Sequence, residues 1–463
     1  MRTAPASALR GWAVPAAVFG VVLVAQLALV AAAGTDVPFY DQWNIEGGFL
    51  YPRWIDGSLG LAEIVQAQNE HRLVWANLLN LSLFAANGQW DPLVQLVAVA
   101  FVRSATAAAI TAMALPEIAG RARLAVGAGV AVAFLPHLAW HCVLWGIEPL
   151  VLVWSVLTLA LLGTGRASAA RTAGGLVAGA AALLAMAPAE LVPVALLGLV
   201  AVRAIEARNF GRESWRATWP ALVLLAAAWA LRVEVDGHIP LQAASVTQFG
   251  TTLVSLLGWP HDGNFFTALL LNLPMLAGVV LRLGRSRRAK AGEDFVLVTA
   301  GWSVAIALAA AWVRGGGPEL AAGVPSRYVD FLVFLPLANV WYAVTLAREA
   351  APARRPSALL VASAWAMFLF VGWLALSAQV WRGIIVPRSR DREAPVRLVR
   401  AFQETGDAAV FSGQPRLLVP HPNPEIVRGV LADPRLAARL PPPLQPARPM
   451  GPLSRATRAL LGR

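Results

Sequence analysis

The 463 residues are 58% apolar and only 14% charged, whereas soluble domains carry ~25% charged residues. A water-soluble multidomain protein would be left with too little polar surface, so the composition points to a polytopic membrane protein. The net charge of +12 would suit a nucleic-acid binder, but in so apolar a chain it first reports where the arginines lie relative to a bilayer.

Arg2 and Arg10 precede an apolar run from Trp12 to Ala33. It is long enough to cross a ~30 Å hydrocarbon core and longer than the ~7–15 apolar residues of a signal peptide, which predicts an uncleaved first helix. Further spanning runs are read at roughly 92–115, 124–143, 147–164, 172–188, 190–203, 217–232, 264–283, 295–313, 329–347 and 357–381, about eleven transmembrane helices in all. The 250–259 stretch is apolar but too short to span and is read as re-entrant or interfacial. With the N-terminus in the cytoplasm, the cytoplasmic side holds 18 of the 38 basic residues, among them Arg121, Arg123, Arg166, Arg203, Arg208, Arg287, Arg288, Lys290, Arg348, Arg354 and Arg355. The opposite loops hold only Arg53, Arg72, Arg232, Arg314 and Arg327, as the positive-inside rule requires. The basic charge is therefore largely a topology signal, and nucleic acid is not an expected partner.

The expected fold is an all-α polytopic membrane domain over residues 1–381, followed by a Pro- and Arg-rich tail over 382–463. An odd number of spans puts that tail outside. Its many prolines, among them Pro420, Pro422, Pro424 and Pro441–Pro443, read as a small irregular appendage with a loose end. No internal repeat supports an inverted-repeat transporter. The single cysteine, Cys142, excludes an internal disulfide.

The first external loop, 34–91, is the longest between the spans, and long loops concentrate function. It is acidic (Asp36, Asp41, Glu46, Asp56, Glu63, Glu70, Asp91) and carries an aromatic cluster of Phe39, Tyr40, Trp43, Phe49, Tyr51 and Trp54. Two short amphipathic helices are read in it. One runs over Asp41–Trp54 and ends near Asp56-Gly57; the other runs over Arg72–Ala86 with a polar strip of Asn77, Asn80 and Ser82. Both are expected to lie at the membrane interface. Asp91-Pro92 reads as the N-cap and first position of the second span. The densest polar cluster, Gln68-Asn69-Glu70-His71-Arg72, could do acid–base work or hold an anion; it could equally be a capping and ion-pair cluster.

The order of features resembles the C-type (GT-C) glycosyltransferases, nearest a bacterial branch with an Asn-Glu-His-Arg motif in this loop. Those features are an apolar first helix, the acid Asp41 just after it, amphipathic helices, the Asn69-Glu70-His71-Arg72 motif and Asn87-Gly88-Gln89-Trp90-Asp91 before the second span. The likeness is architectural over about 350 residues and motif-level only at Asp41, 69–72, 87–91 and 326–328. Glu70-His71-Arg72 stands where mannosyl- and aminoarabinosyl-transferases carry His-Pro-Pro or Lys-Pro-Pro, and no Asp-x-Asp follows the first helix, so sugar and acceptor do not carry over.

The resemblance implies a multi-pass protein of the bacterial inner membrane that moves a sugar from a polyprenyl-phosphate donor to a glycan, lipid or other envelope acceptor on the external face. Asp41 is then the general base, with Glu46, Glu70 and His71 as further catalytic candidates. Arg72, Arg314, Arg327 and Tyr328 are candidates for binding the donor phosphate. Arg103, well inside the second span, is a substrate or pairing candidate because a charge at that depth needs a reason. Its expected partners are Asp41 or Glu46, or structurally Glu190 or Glu148. No cofactor is assigned; a divalent cation at the leaving phosphate stays open, although no metal ligands are assigned. His137 and His141 read as interfacial residues beside Trp140 and Trp145. A transporter or flippase of lipid-linked glycans and a non-catalytic assembly subunit are the alternatives.

Overall fold

The computed structural model describes residues 6–146, 149–165, 168–209, 211–261, 263–285 and 291–463. Among these, regular structure is helical throughout, apart from an isolated bridge between Gln68 and His71. Seven helices are long and apolar enough to cross a membrane: Gly11–Ala33, Pro92–Ala114, Ala187–Ala207, Phe265–Gly284, Ala291–Arg314, Ser326–Glu349 and Pro352–Arg390. Each coincides with a predicted span. Large apolar side chains stand bare along them; Val24, Phe266 and Leu360 are 68%, 79% and 71% exposed, a surface suited to lipid.

The other four predicted spans are shorter or more polar than expected. Ala122–Ala133, Pro149–Gly163 and Ala169–Leu183 rise only about 18–22 Å, less than a hydrocarbon core. The first of them stops before Phe134-Leu135-Pro136, where proline removes a backbone donor. Arg212–Leu231 has the length but opens on Arg212 and Arg216. The 250–259 stretch belongs to a twelve-residue helix, Val246–Leu257, started by Ser245, whose hydroxyl accepts from the Gln248 amide. Of the basic loop residues read from the sequence, Arg2, Arg166, Arg287, Arg288 and Lys290 lie outside the described residues.

Charges inside the bundle are paired, as burial demands. Arg103 and Asp330 join the Pro92–Ala114 and Ser326–Leu332 helices. At the opposite end of the bundle, Arg282 binds both Glu206 and Asp294, and Arg203 binds Asp294.

The tail is not a loose appendage. The Pro352–Arg390 helix runs continuously through position 381, and the tail beyond it folds onto the 34–91 loop. Trp43, Leu50, Tyr51 and Phe84 of the loop share one core with Val399, Phe402, Val427 and Leu436 of the tail. The prolines that suggested irregularity begin helices: Pro424–Leu431 behind the cap Asn423, Pro434–Ala437 behind Asp433, and Pro452–Leu461. This is the position where proline's missing N–H costs nothing. The last of these helices is pinned by Arg458, which bridges Asp91 at 2.5 Å and Asp36, while Ser454 bonds Asn87 and Asp91. The Asn87–Asp91 motif is thus a docking seat for the tail. Asp91 also caps the second span, accepting from the Leu93 amide at 3.0 Å.

Candidate functional site

In the loop, Trp43–Leu50 forms a π-helix that passes into Tyr51–Asp56 and ends at left-handed Gly57, close to the predicted end. At Gly47 a side chain would strike Trp90 and Val430 of the tail, so the absence of one lets loop and tail close. Val74–Asn87 ends at left-handed Gly88. The expected interfacial faces are largely covered. Trp43, Tyr51 and Trp90 are fully buried; of the polar strip, Asn77 turns to the Ile64 carbonyl and Asn80 to Glu46, while Ser82 stays exposed.

Glu46 is therefore a core residue. It is 1% exposed and accepts from Trp90 Nε1 and Gln95 Nε2 at 2.7 Å, Asn80 Nδ2 at 2.9 Å, and more weakly from Tyr51 and Gln42. Every donor is neutral. Burial pushes its pKa up to about 7, against the pull of Gln95, Trp90, Gln42 and Tyr51.

Asp41 lies at the edge of this core, half-buried. Burial raises its pKa; His421, Arg327 and a hydrogen bond to Asn44 oppose the rise, and Glu70 adds to it. The tail forms one wall. Pro420 accepts the Tyr40 amide at 2.8 Å, holding Tyr40 at φ +50°; Arg416 Nε donates to the Tyr40 hydroxyl at 3.1 Å, and His421 Nε2 lies 3.2 Å from Asn44 Nδ2. The other wall is the start of the Ser326–Leu332 helix. There Arg327 forks onto Glu319 and lies over the Tyr328 ring, 5.5 Å from its centroid. His141 stacks between Trp140 and Trp145 and faces Phe39 and Tyr40 edge-on.

The Glu70 cluster flanks this cleft. Burial works to raise Glu70, but His71, Arg314 and His238 together hold it below the usual carboxylate value. Arg314 meets it at 2.5 Å and His238 at 3.4 Å. His71 is lowered by burial, and its Nδ1 faces the Ala187 amide at 3.4 Å. Asn69 and Leu73, on either side, both have positive φ. Among the described residues, three of the four such non-glycine residues, Tyr40 included, therefore lie near one region; strain of ~1–3 kcal/mol per residue collects at functional sites.

Two expected anion-binding residues are committed elsewhere. Arg72 donates to the carbonyls of Val65 and Leu231 at 3.2 Å each, tying the loop to the Arg212–Leu231 helix. Arg103 is paired with none of Asp41, Glu46 or Glu190; its partner is Asp330, and Glu148 lies outside the described residues. His137 and His141 diverge, His137 Nε2 meeting Ser377 at 2.8 Å. Among the described residues no group of three His, Cys, Asp or Glu side chains could hold a metal ion.

The structure thus brings Asp41, Glu70, His71, Arg314, Arg327 and Tyr328 to one side of the bundle, and sets Glu46, Arg72 and Arg103 apart. Sequence reasoning missed Tyr40, Arg416 and His421 as parts of this cleft. His421 sits among the prolines noted in the tail, but nothing local tied it to residues some 380 positions earlier. The chain matches no family model, no curated protein and no solved structure.

Proposed function

We propose that the chain is an integral membrane glycosyltransferase that moves a sugar from a polyprenyl-phosphate donor to an envelope glycan or lipid, at the external face of a bacterial inner membrane. The observation that carries the reading is Asp41. It is a half-buried carboxyl with a raised pKa, set near Arg327 and the tail's His421.

A carboxylate raised from its ordinary value holds a proton more firmly and is the better general base. Asp41 takes the proton of the acceptor hydroxyl as that oxygen bonds to the anomeric carbon. The bond from that carbon to the phosphate oxygen breaks, and the electron pair leaves with the polyprenyl phosphate. Arg327 meets the charge that develops there. Its pair with Glu319 is 31% and 51% exposed, and such surface pairs are worth ~0–1 kcal/mol. A phosphate offering two oxygens can displace Glu319 and take the same fork. Arg314, with Glu70 against it, stands as the second cation of the cleft. No step runs through a metal ion.

The test is release of polyprenyl phosphate from a panel of undecaprenyl-phosphate sugars by the purified protein in nanodiscs. Wild-type turnover with at least ~100-fold loss in Asp41→Asn is expected, the usual worth of a general base. Turnover unchanged in Asp41→Asn removes the base assigned here. Transbilayer movement of the donor without sugar release makes the protein a flippase.

A further inference from the structure

A groove of about 590 Å3 runs along the side of the bundle, away from the cleft. Three helices form it: Ala122–Ala133, Phe334–Glu349 and Arg355–Val380. Its depth comes from small side chains on all three, Ala128 and Gly129, Ala343 and Ala347, and Ala362 and Ala366. Its walls are apolar along the run from Arg121 to Ala133, about 18 Å at the helical rise. That is more than half of a ~30 Å hydrocarbon core, enough for a lipid chain of one leaflet.

The groove has two unlike ends. Trp259, Phe370 and Trp373 close the end nearer the cleft. At the other end stand Arg121 and Arg348, both exposed; among the described residues neither guanidinium has a hydrogen-bonded or ion-paired partner. Arg348 ends the helix that begins near Arg327, and Arg121 follows the helix that begins at Asp91. The charged mouth therefore faces the leaflet opposite the cleft. The helix bordering the groove on its open side belongs to Pro352–Arg390, the least buried of the seven apolar helices. Its own packing does not fill the space.

We propose that this groove holds the acyl chain of one anionic phospholipid of that leaflet, with the phosphate bound by Arg121 and Arg348. An apolar slot with paired cations at one mouth complements a molecule that is apolar along its length and anionic at one end. The site is independent of the sugar-transfer reading, since it shares no residue with the cleft.

Native mass spectrometry of the detergent-purified protein, titrated with phosphatidylglycerol, phosphatidylcholine or glycerol phosphate, tests it. One tightly held phosphatidylglycerol is expected. Its affinity should fall about thirtyfold in Arg121→Gln/Arg348→Gln, from the usual worth of two arginines at an anionic headgroup. Ala366→Phe, which fills the slot from its exposed wall, should remove it, with both variants eluting as wild type in gel filtration. Equal binding of the two lipids, or affinity unchanged in the arginine variant, overturns the proposal. So does glycerol phosphate binding as tightly as phosphatidylglycerol, which would make the mouth an anion site with no part for the chain.

Discussion

Arg103 and Asp330, 227 positions apart, meet inside the bundle with both side chains 1% exposed, the guanidinium reaching the carboxylate through Nε and through Nη2 at 2.5 Å. Arg103 Nη1 also donates to the Phe134 carbonyl at 2.6 Å. Removing one partner leaves the other buried and uncompensated, at a cost of ~3–5 kcal/mol. Thermal unfolding of Arg103→Leu and of Asp330→Leu in detergent should each show that loss. The double variant should recover most of it, since a well-packed apolar pair can replace a buried ion pair.

Glu46 gives a pH signature. Its pKa rises from 4.5 to about 7 on folding, so between those values the folded chain binds more protons than the unfolded one. Stability is then greatest below the unfolded value and declines as pH rises through about 7, by roughly 3 kcal/mol for this group. Glu46→Gln keeps the neutral shape and removes the titration. Its stability relative to wild type should rise between pH 5 and pH 8, and a difference flat with pH would show that Glu46 does not titrate in this range.

His421 reaches the cleft from the tail, and its influence on Asp41 has a definite sign. It opposes the rise of the Asp41 pKa, so His421→Ala should let that pKa climb further. If Asp41 is the general base, the acid limb of the pH–rate profile moves to higher pH in the variant while the rate at high pH changes less. A uniform loss across pH would mark His421 as holding the tail in place only.

Arg458 fastens the tail to Asp36 and Asp91. Arg458→Ala leaves the Asp91 side chain, 0% exposed, without its cation. Limited proteolysis should cut the Pro434–Leu461 region faster in the variant than in wild type. Equal cutting would show that the shared apolar core alone holds the tail.

The helices that follow local rules were legible in the sequence. Asp91-Pro92 reads as cap and first position, and the second span starts there; Gly57 ends the loop helix as predicted. The same rule applies at Asn423-Pro424 and Asp433-Pro434, where a high local density of prolines read as irregular chain. Asp330 was within reach too, since an acid inside one predicted span is the natural partner for an arginine inside another. The inward turn of Asn80, and the burial of Glu46 with it, was not legible. Amphipathicity says that a face is covered, not by what; here the cover is Trp90 and Gln95 for Glu46, with the tail, more than 300 residues away, closing the same core. In the cleft, Asp41 and Arg327 stood out by residue type and position, whereas Arg416 and His421 join it only through that distant packing.

The shared core of loop and tail also sets an order of events during synthesis. Arg458 meets Asp36 across 422 positions, and such remote contacts form late because a long loop must close first. The 34–91 segment leaves the ribosome early; Tyr51 can stack on Phe84 and Trp43 can meet Trp90 within it, yet the side of that core formed by Val399, Phe402, Val427 and Leu436 arrives only with the tail. Until then the segment holds only half of its core. The cleft around Asp41 gains its second wall only then, so a nascent chain stopped before His421 holds every transmembrane helix and still lacks the finished site.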